Sequence, residues 1–295
     1  MIRLFQIFPI IGVLLTLGLA ALLSGCSAVK LGYSNAPELG YWWLDSYLDF
    51  DGTQSLKVRA DLATLQAWHR QNELPIYVST LETLQGLVPT RVTPEQVCDV
   101  SSALRTRFQT LLDQTEPTLV ALMPTFKAEQ LNHLARQFDK RNQKWRGEWM
   151  DGSPLQRRDR RIKQLTERLE QLYGRLDPAQ LAALRASGAV SVFDASVSYR
   201  ETLRRQRDAL QTLRQLQAGA LPEIRFMAEV RALLARSMNS PDAAFRSYQD
   251  QLTQESCKAF ATLHNSTTIA QRQQVTETLK DYATDARALM METGR

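Results

Sequence analysis

The chain has 295 residues, 44% of them hydrophobic and 23% charged, with a formal net charge of +5 and three cysteines. That is enough apolar mass for one large domain or two modest ones. The charge is too mild to single out a partner. The scattered thiols Cys26, Cys98 and Cys257 make no thiolate metal motif.

The first 25 residues read MIRLFQIFPIIGVLLTLGLAALLSG, with Arg3 as the sole charge ahead of a long apolar run. A basic start, an apolar middle and a small-residue exit describe a secretory signal peptide. The ending Leu23-Ser24-Gly25-Cys26 resembles the lipobox of bacterial lipoproteins. That resemblance implies that Cys26 takes a diacylglycerol, that cleavage precedes it, and that its new amine is acylated. Several acyl chains together make a lasting anchor. An uncleaved membrane-spanning helix is the plainer alternative, but it leaves the position of Cys26 without a reason. Ser27 after the cysteine implies sorting to the outer membrane, facing the periplasm. The expected organisation is a leader over 1–25, a lipidated tether over 26–36 and one α-helical periplasmic domain over 37–295. The membrane is then the first partner, and the mature charge falls to +4.

Residues 33–84 open with an aromatic cluster, Tyr41, Trp42, Trp43, Tyr47 and Phe50, interleaved with Asp45, Asp49 and Asp51. One face of such a helix can pack on the helix bearing Leu62, Leu65 and Trp68. Two readings stay open: aromatic core packing, or a groove or headgroup-facing belt formed by Trp42, Trp43, Tyr47 and Trp68. His69 and Arg70 are placed to bond Asp45 or Asp49. With His133 and His264 far off in sequence, no metal site is expected. Tyr33, Trp42, Tyr47, Gln54, the run Trp68-His69-Arg70, and Glu73-Leu74-Pro75 with Tyr77 resemble an envelope lipoprotein family of proteobacteria. That family is catalogued as domain of unknown function 6279, and no activity, cofactor or functional residue carries over from it.

Beyond this segment, glycine and proline fall as punctuation: Gly86 before Pro89, Gly152 before Pro154, Gly174 before Pro178, Gly219 before Pro222. Between the marks apolar residues recur at three and four, as in Ile162, Leu165, Leu169, Leu172, Tyr173 and Leu176, or Leu203, Leu210, Leu213 and Leu216. The spacing predicts an all-α fold, an elongated multi-helix bundle. Helices are expected near 37–49, 54–72, 75–86, 94–115, 127–149, 154–173, 178–187, 194–218, 222–237, 241–263 and 269–292. Thr93, Asp177 and Thr268 can cap helix starts, with Gln96, Gln180 and Gln271 reaching back; Lys127 occupies the same place ahead of Gln130. These starts resemble the LTxxQ motif of small periplasmic stress chaperones, although capping is common to helical proteins.

Cys98 and Cys257 both fall in helical segments. They pair in an oxidising periplasm or stay as two buried thiols; pairing closes a loop of about 160 residues and stabilises by about 4–5 kcal/mol on chain entropy. From Lys140 to Arg175 the chain carries eleven Lys or Arg against five Asp or Glu. Arg157, Arg158, Arg161 and Arg168 make either a solvated face or a site for an anionic lipid or acidic envelope protein, with Arg158, Arg161 and Arg168 outward. Nucleic acid is not an expected partner outside the cytoplasm. No G-x-S-x-G, phosphate loop, H-E-x-x-H or C-x-x-C occurs. Glu255 faintly resembles the acid of lytic transglycosylases, but the glycine-rich stretch of that class is missing. The expectation is a non-enzymatic binding or structural protein without cofactor, with a chaperone-like role as runner-up.

Overall fold

The computed structural model describes residues 26–219 and 221–292. The leader expected over residues 1–25 lies outside them, as does the side chain of Cys26. The described residues form helices joined by loops, with no strand among them. In chain order these are α1 (Cys26–Ser34), α2 (Ala36–Leu48), α3 (Gly52–Asn72), α4 (Leu74–Leu87), α5 (Pro94–Asp113) and α6 (Glu116–Leu122). A short 3₁₀ turn (Met123–Thr125) leads into α7 (Ala128–Trp149), α8 (Pro154–Tyr173), α9 (Pro178–Ala189) and α10 (Ala195–Ala218). The chain continues through α11 (Glu223–Met238), α12 (Ala243–Ser266) and α13 (Ile269–Met291). None of the described helices is long and apolar enough to cross a membrane. Helix α1 is a departure from the expected tether: it packs against α13, with Lys30 reaching the buried carboxylate of Asp285 at 3.9 Å.

The helix starts show why the chain breaks where it does. Asp51, Thr93, Ser153, Asp177 and Thr268 each accept from the amide three residues on, and the glutamine there bonds back. Each box satisfies amides that the first turn otherwise leaves orphaned. Lys127 has no acceptor, so at α7 only the return bond forms, Lys127 N to Gln130 Oε1 at 2.9 Å. The lysine ammonium instead reaches Asp51, the cap of α3, at 3.1 Å.

Four of these glutamines do a second job. Gln54 and Gln130 exchange amide bonds at 2.7 and 3.3 Å, and Gln180 and Gln271 do the same at 2.9 and 3.1 Å. Each glutamine amide also donates to a carbonyl two residues before the other helix's cap: Thr125, Asp49, Ser266 and Arg175. Pairs of helix starts are thus clasped together, α3 to α7 and α9 to α13, with buried amides satisfied on both sides.

Two cores follow from the two clasps. The first gathers Tyr41, Val58, Leu122, Phe126, Leu131 and Val230, from α2, α3, α6, α7 and α11, with Leu213 and Leu216 of α10. The second gathers Leu169, Tyr173, Leu184, Leu263, Val275 and Leu279, from α8, α9, α12 and α13. A smaller cluster of Leu74, Val78, Ala286 and Leu289 extends it along α4 and α13. The helices feeding the cores interleave along the chain, so neither core is a consecutive domain. Leu165, expected in the α8 stripe, is exposed instead: it shares the face of Leu169 and Leu172, but only the C-terminal part of the helix, Leu169–Tyr173, meets the core.

Covalent and ionic ties complete the bundle. Cys98 of α5 and Cys257 of α12 form a disulfide, with Cα atoms 5.5 Å apart. The buried carboxylate of Glu201 receives Arg204 through two bonds of 2.8 Å, Arg205 at 2.8 Å and Ser240 at 3.1 Å. Burial pushes this carboxyl up, but the arginines outweigh it and hold its pKa below the usual range.

Candidate functional site

Beside the first core, α2, α3, α6 and α7 leave an open groove of about 850 Å³. Asp45 begins its construction: its carboxylate accepts from the amide of Phe50 at 2.9 Å and steadies the turn from α2 into α3. Asp49 sits there in the left-handed region at φ 50°. The turn brings α2 back along α3, so Trp43 and Tyr47 face Leu65 and Trp68 across the opening. Ring centroids run 5.1 Å from Trp43 to Tyr47 and 6.3 Å on to Phe138 of α7. The lining is overwhelmingly apolar, with a sparse polar edge that includes Asp61, Arg141 and Gln206. Arg141 donates weakly to the Tyr47 hydroxyl at 3.4 Å, and Asp61 is matched by Lys57 at 2.9 Å.

Of the four aromatics expected in a groove, Trp43, Tyr47 and Trp68 are brought together. Trp42 is not; it points off the other side of α2, packing edge-on to Tyr41 at 5.4 Å. The groove face of α2 runs through Trp43, Leu44, Tyr47 and Leu48, and a turn of 100° per residue puts Trp42 on the far side of the helix from its centre. The guanidinium of Arg59, ion-paired with Glu38, lies 3.6 Å from the Tyr41 ring and 5.3 Å from that of Trp42. Phe126, Phe138 and Leu112 also line the groove and come from distant sequence, where no local signal marks them.

A second, polar pocket of about 500 Å³ lies where α7 ends and α8 begins, closed by residues 191–196. Arg157, Arg158 and Arg161 line it, while Arg168 stands exposed two turns further along α8. Arg161 corrects the expectation of an outward side chain. It is half-buried, its guanidinium stacks 4.5 Å over the Phe193 ring, and it donates to the Ser191 hydroxyl at 2.7 Å. Burial holds its pKa below the ordinary arginine value. Arg157 caps the end of α7, donating to the carbonyls of Met150 and Gly152 at 3.0 Å each.

Glu255 meets this pocket from behind. Its carboxylate accepts from Ser191 Oγ at 3.0 Å and from the Val192 amide at 3.0 and 3.1 Å. It therefore clamps the α9–α10 connection; its hydrogen-bonded link to Arg161 runs through the Ser191 hydroxyl, and its charge acts on the guanidinium from beyond ion-pair distance.

The histidines occupy three separate environments. His69 and Arg70 do not bond Asp45 or Asp49, since Asp45 is committed to its own turn. His69 pairs with the Tyr33 hydroxyl at 3.1 Å, and Arg70 donates to the Glu292 carbonyl at 2.8 Å. His133 meets the Ser46 carbonyl at 3.1 Å. His264 is almost fully buried, between the Tyr173 hydroxyl at 2.8 Å and the Thr90 carbonyl at 3.0 Å. Thr90 can only accept, so Nε2 carries the proton and Nδ1 receives the Tyr173 hydroxyl. Burial lowers the pKa of His264 and raises that of Tyr173. Among the described residues no three His, Cys, Asp or Glu side chains converge as metal ligands would.

No curated protein and no solved structure matches this chain. A family model does match, over residues 46–239, which takes in the arginine pocket, Cys98 and the groove apart from Trp43 and Leu44, and stops short of Cys257 and Glu255. The chain belongs to the family of unknown function DUF6279.

Proposed function

We propose that this is a non-enzymatic envelope lipoprotein, fastened by acyl chains on Cys26 to the outer membrane and facing the periplasm. On this reading it works by binding another envelope component in the groove of the first core. The observation that carries the proposal is that groove: large, open, apolar and edged by few polar groups, as binding sites are. An exposed patch of this kind marks an interaction surface more often than an idle one. Glu255, the side chain considered as a catalytic acid, is spent on the α9–α10 connection, which favours binding over glycan cleavage.

The test is photo-crosslinking in cells from Trp43 and Trp68, with Trp42 on the opposite side of α2 as control. One adduct of defined mass from the first two positions, lost on Leu65→Glu, is the expected result. Equal labelling from Trp42 would remove the groove as the working site. A chaperone-like role is the second reading, favoured by the groove's breadth and want of polar anchors. It predicts many adducts and suppressed aggregation of unfolded envelope proteins. Mass spectrometry of the natural product tests the anchor: an unmodified sulfur at position 26 would refute it.

A further inference from the structure

We infer that the pocket formed by α8, residues 191–194 and the start of α10 is an anion site, taking a phosphate group between Arg158 and Arg161. It stands apart from the aromatic groove and does not depend on how the groove is used.

Three observations converge. Arg157, Arg158 and Arg161 stand within one helical turn of α8 and line one cavity of about 500 Å³. Residues three and four apart on a helix are neighbours, so these guanidinia can address a single ligand. Second, among the described residues no carboxylate lies within ion-pair distance of Arg161, although the side chain is half-buried. Its fixed contacts are a neutral hydroxyl and an aromatic face. A desolvated cation held this way gains from an incoming anion what Ser191 alone does not supply.

Third, the surroundings position Arg161 and compensate its charge only in part, since Glu255 acts on it from beyond ion-pair distance. Glu255 pulls on Ser191 and the Val192 amide, which holds Ser191 under the guanidinium and Phe193 against its plane. The carboxylate that does line the cavity, Asp194, is engaged by the amide and hydroxyl of Ser196 at 2.7 Å each, capping α10. Arg157 is largely used on α7, which leaves Arg158, paired among the described residues only with the exposed Asp159 at 4.0 Å, as the available partner of Arg161. Two guanidinia one turn apart suit a tetrahedral dianion, which offers acceptors in several directions. The Trp149 side chain beside them gives a flat apolar wall for whatever carries the phosphate. The phosphate can belong to a lipid headgroup or to a soluble compound.

The probe is pyrophosphate, titrated calorimetrically into the full chain held in neutral detergent. One saturable site is expected, weakened at least about tenfold by Arg158→Gln and by Arg161→Lys. Arg158→Gln alters an exposed side chain and keeps the test valid if the Arg161 variant folds poorly; Arg168→Gln should bind as the parent does. Absence of binding, or the same loss in Arg168→Gln, overturns the site in favour of diffuse surface charge. Vesicles of phosphatidylcholine with and without phosphatidic acid separate the sources. Pyrophosphate-sensitive binding to the acidic vesicles supports a lipid headgroup, whereas pyrophosphate binding without vesicle binding supports a soluble phosphate.

Discussion

In the first core Gln54 and Gln130 join the starts of α3 and α7; in the second, Gln180 and Gln271 join α9 and α13. From the same clasp the two regions diverge. The second is cross-linked by Cys98–Cys257 and filled around the Tyr173–His264 pair, with a recess of only about 320 Å³ under α5. The first has no cross-link and keeps a groove of about 850 Å³ open beside its core. Packing that leaves a groove forgoes contacts, and the clasp is then the main device holding the groove's walls in register. The closed region is the more constrained of the two, and the open one is where the binding proposed above would take place.

Breaking the cross-link tests the closed region most severely. Cys98→Ser should lower stability by about 4–5 kcal/mol, the chain-entropy value for so long a loop. Denaturant unfolding with and without reductant measures this, and an equal midpoint in both would refute it. Cutting each clasp comes next. Gln130→Ala and Gln180→Ala should each cost about 2–3 kcal/mol, since each strands buried amide partners. Similar losses would establish the clasps as equivalent, while a much smaller loss for Gln130→Ala would show that the first core does not rely on its own.

The turns ahead of the clasps give a smaller contrast. Gly174 has φ 72°, and a Cβ there would lie 2.7 Å from Gln274 Oε1, so Gly174→Ala should cost about 1–2 kcal/mol. Asp49, left-handed at φ 50°, should tolerate Asp49→Gly with little change or a gain of a few tenths of a kcal/mol. Thermal melts should show a clear fall for Gly174→Ala and none for Asp49→Gly.

The smallest effect is acid sensitivity. Burial lowers the pKa of His264 in the second core and of His69 beside α1. A depressed folded pKa means the unfolded chain takes up protons first. This part of the stability is therefore complete above the free-histidine value of about 6.5 and is lost as pH falls towards the folded pKa. Melts across that range should show a decline that His264→Gln reduces; an unchanged slope would remove His264 as its source.

The helical class, the helix ends and five of the glutamine boxes belong to local sequence. A cap acts on amides two or three residues away, and an apolar stripe recurs every three or four. Thr93, Asp177 and Thr268 could be read as caps for that reason, whereas the sequence left Cys98 and Cys257 open between a disulfide and two buried thiols, and the packing of α5 on α12 decided for the disulfide. What those glutamines bind across the bundle could not be read, because a partner 76 or 91 residues away leaves no local periodicity. The same limit explains the sites. Trp43, Tyr47 and Trp68 were visible as aromatics, but Phe126 and Phe138 joined them only through the packing of α7. Arg161 looked like one more surface charge in a basic run until Phe193 and Ser191 folded over it. Local sequence decided which residues form helices, since those forces act within a few residues. Tertiary structure decided which helices meet, which tryptophan faces the groove and which arginine turns inward, since burial is settled by segments far apart in the chain.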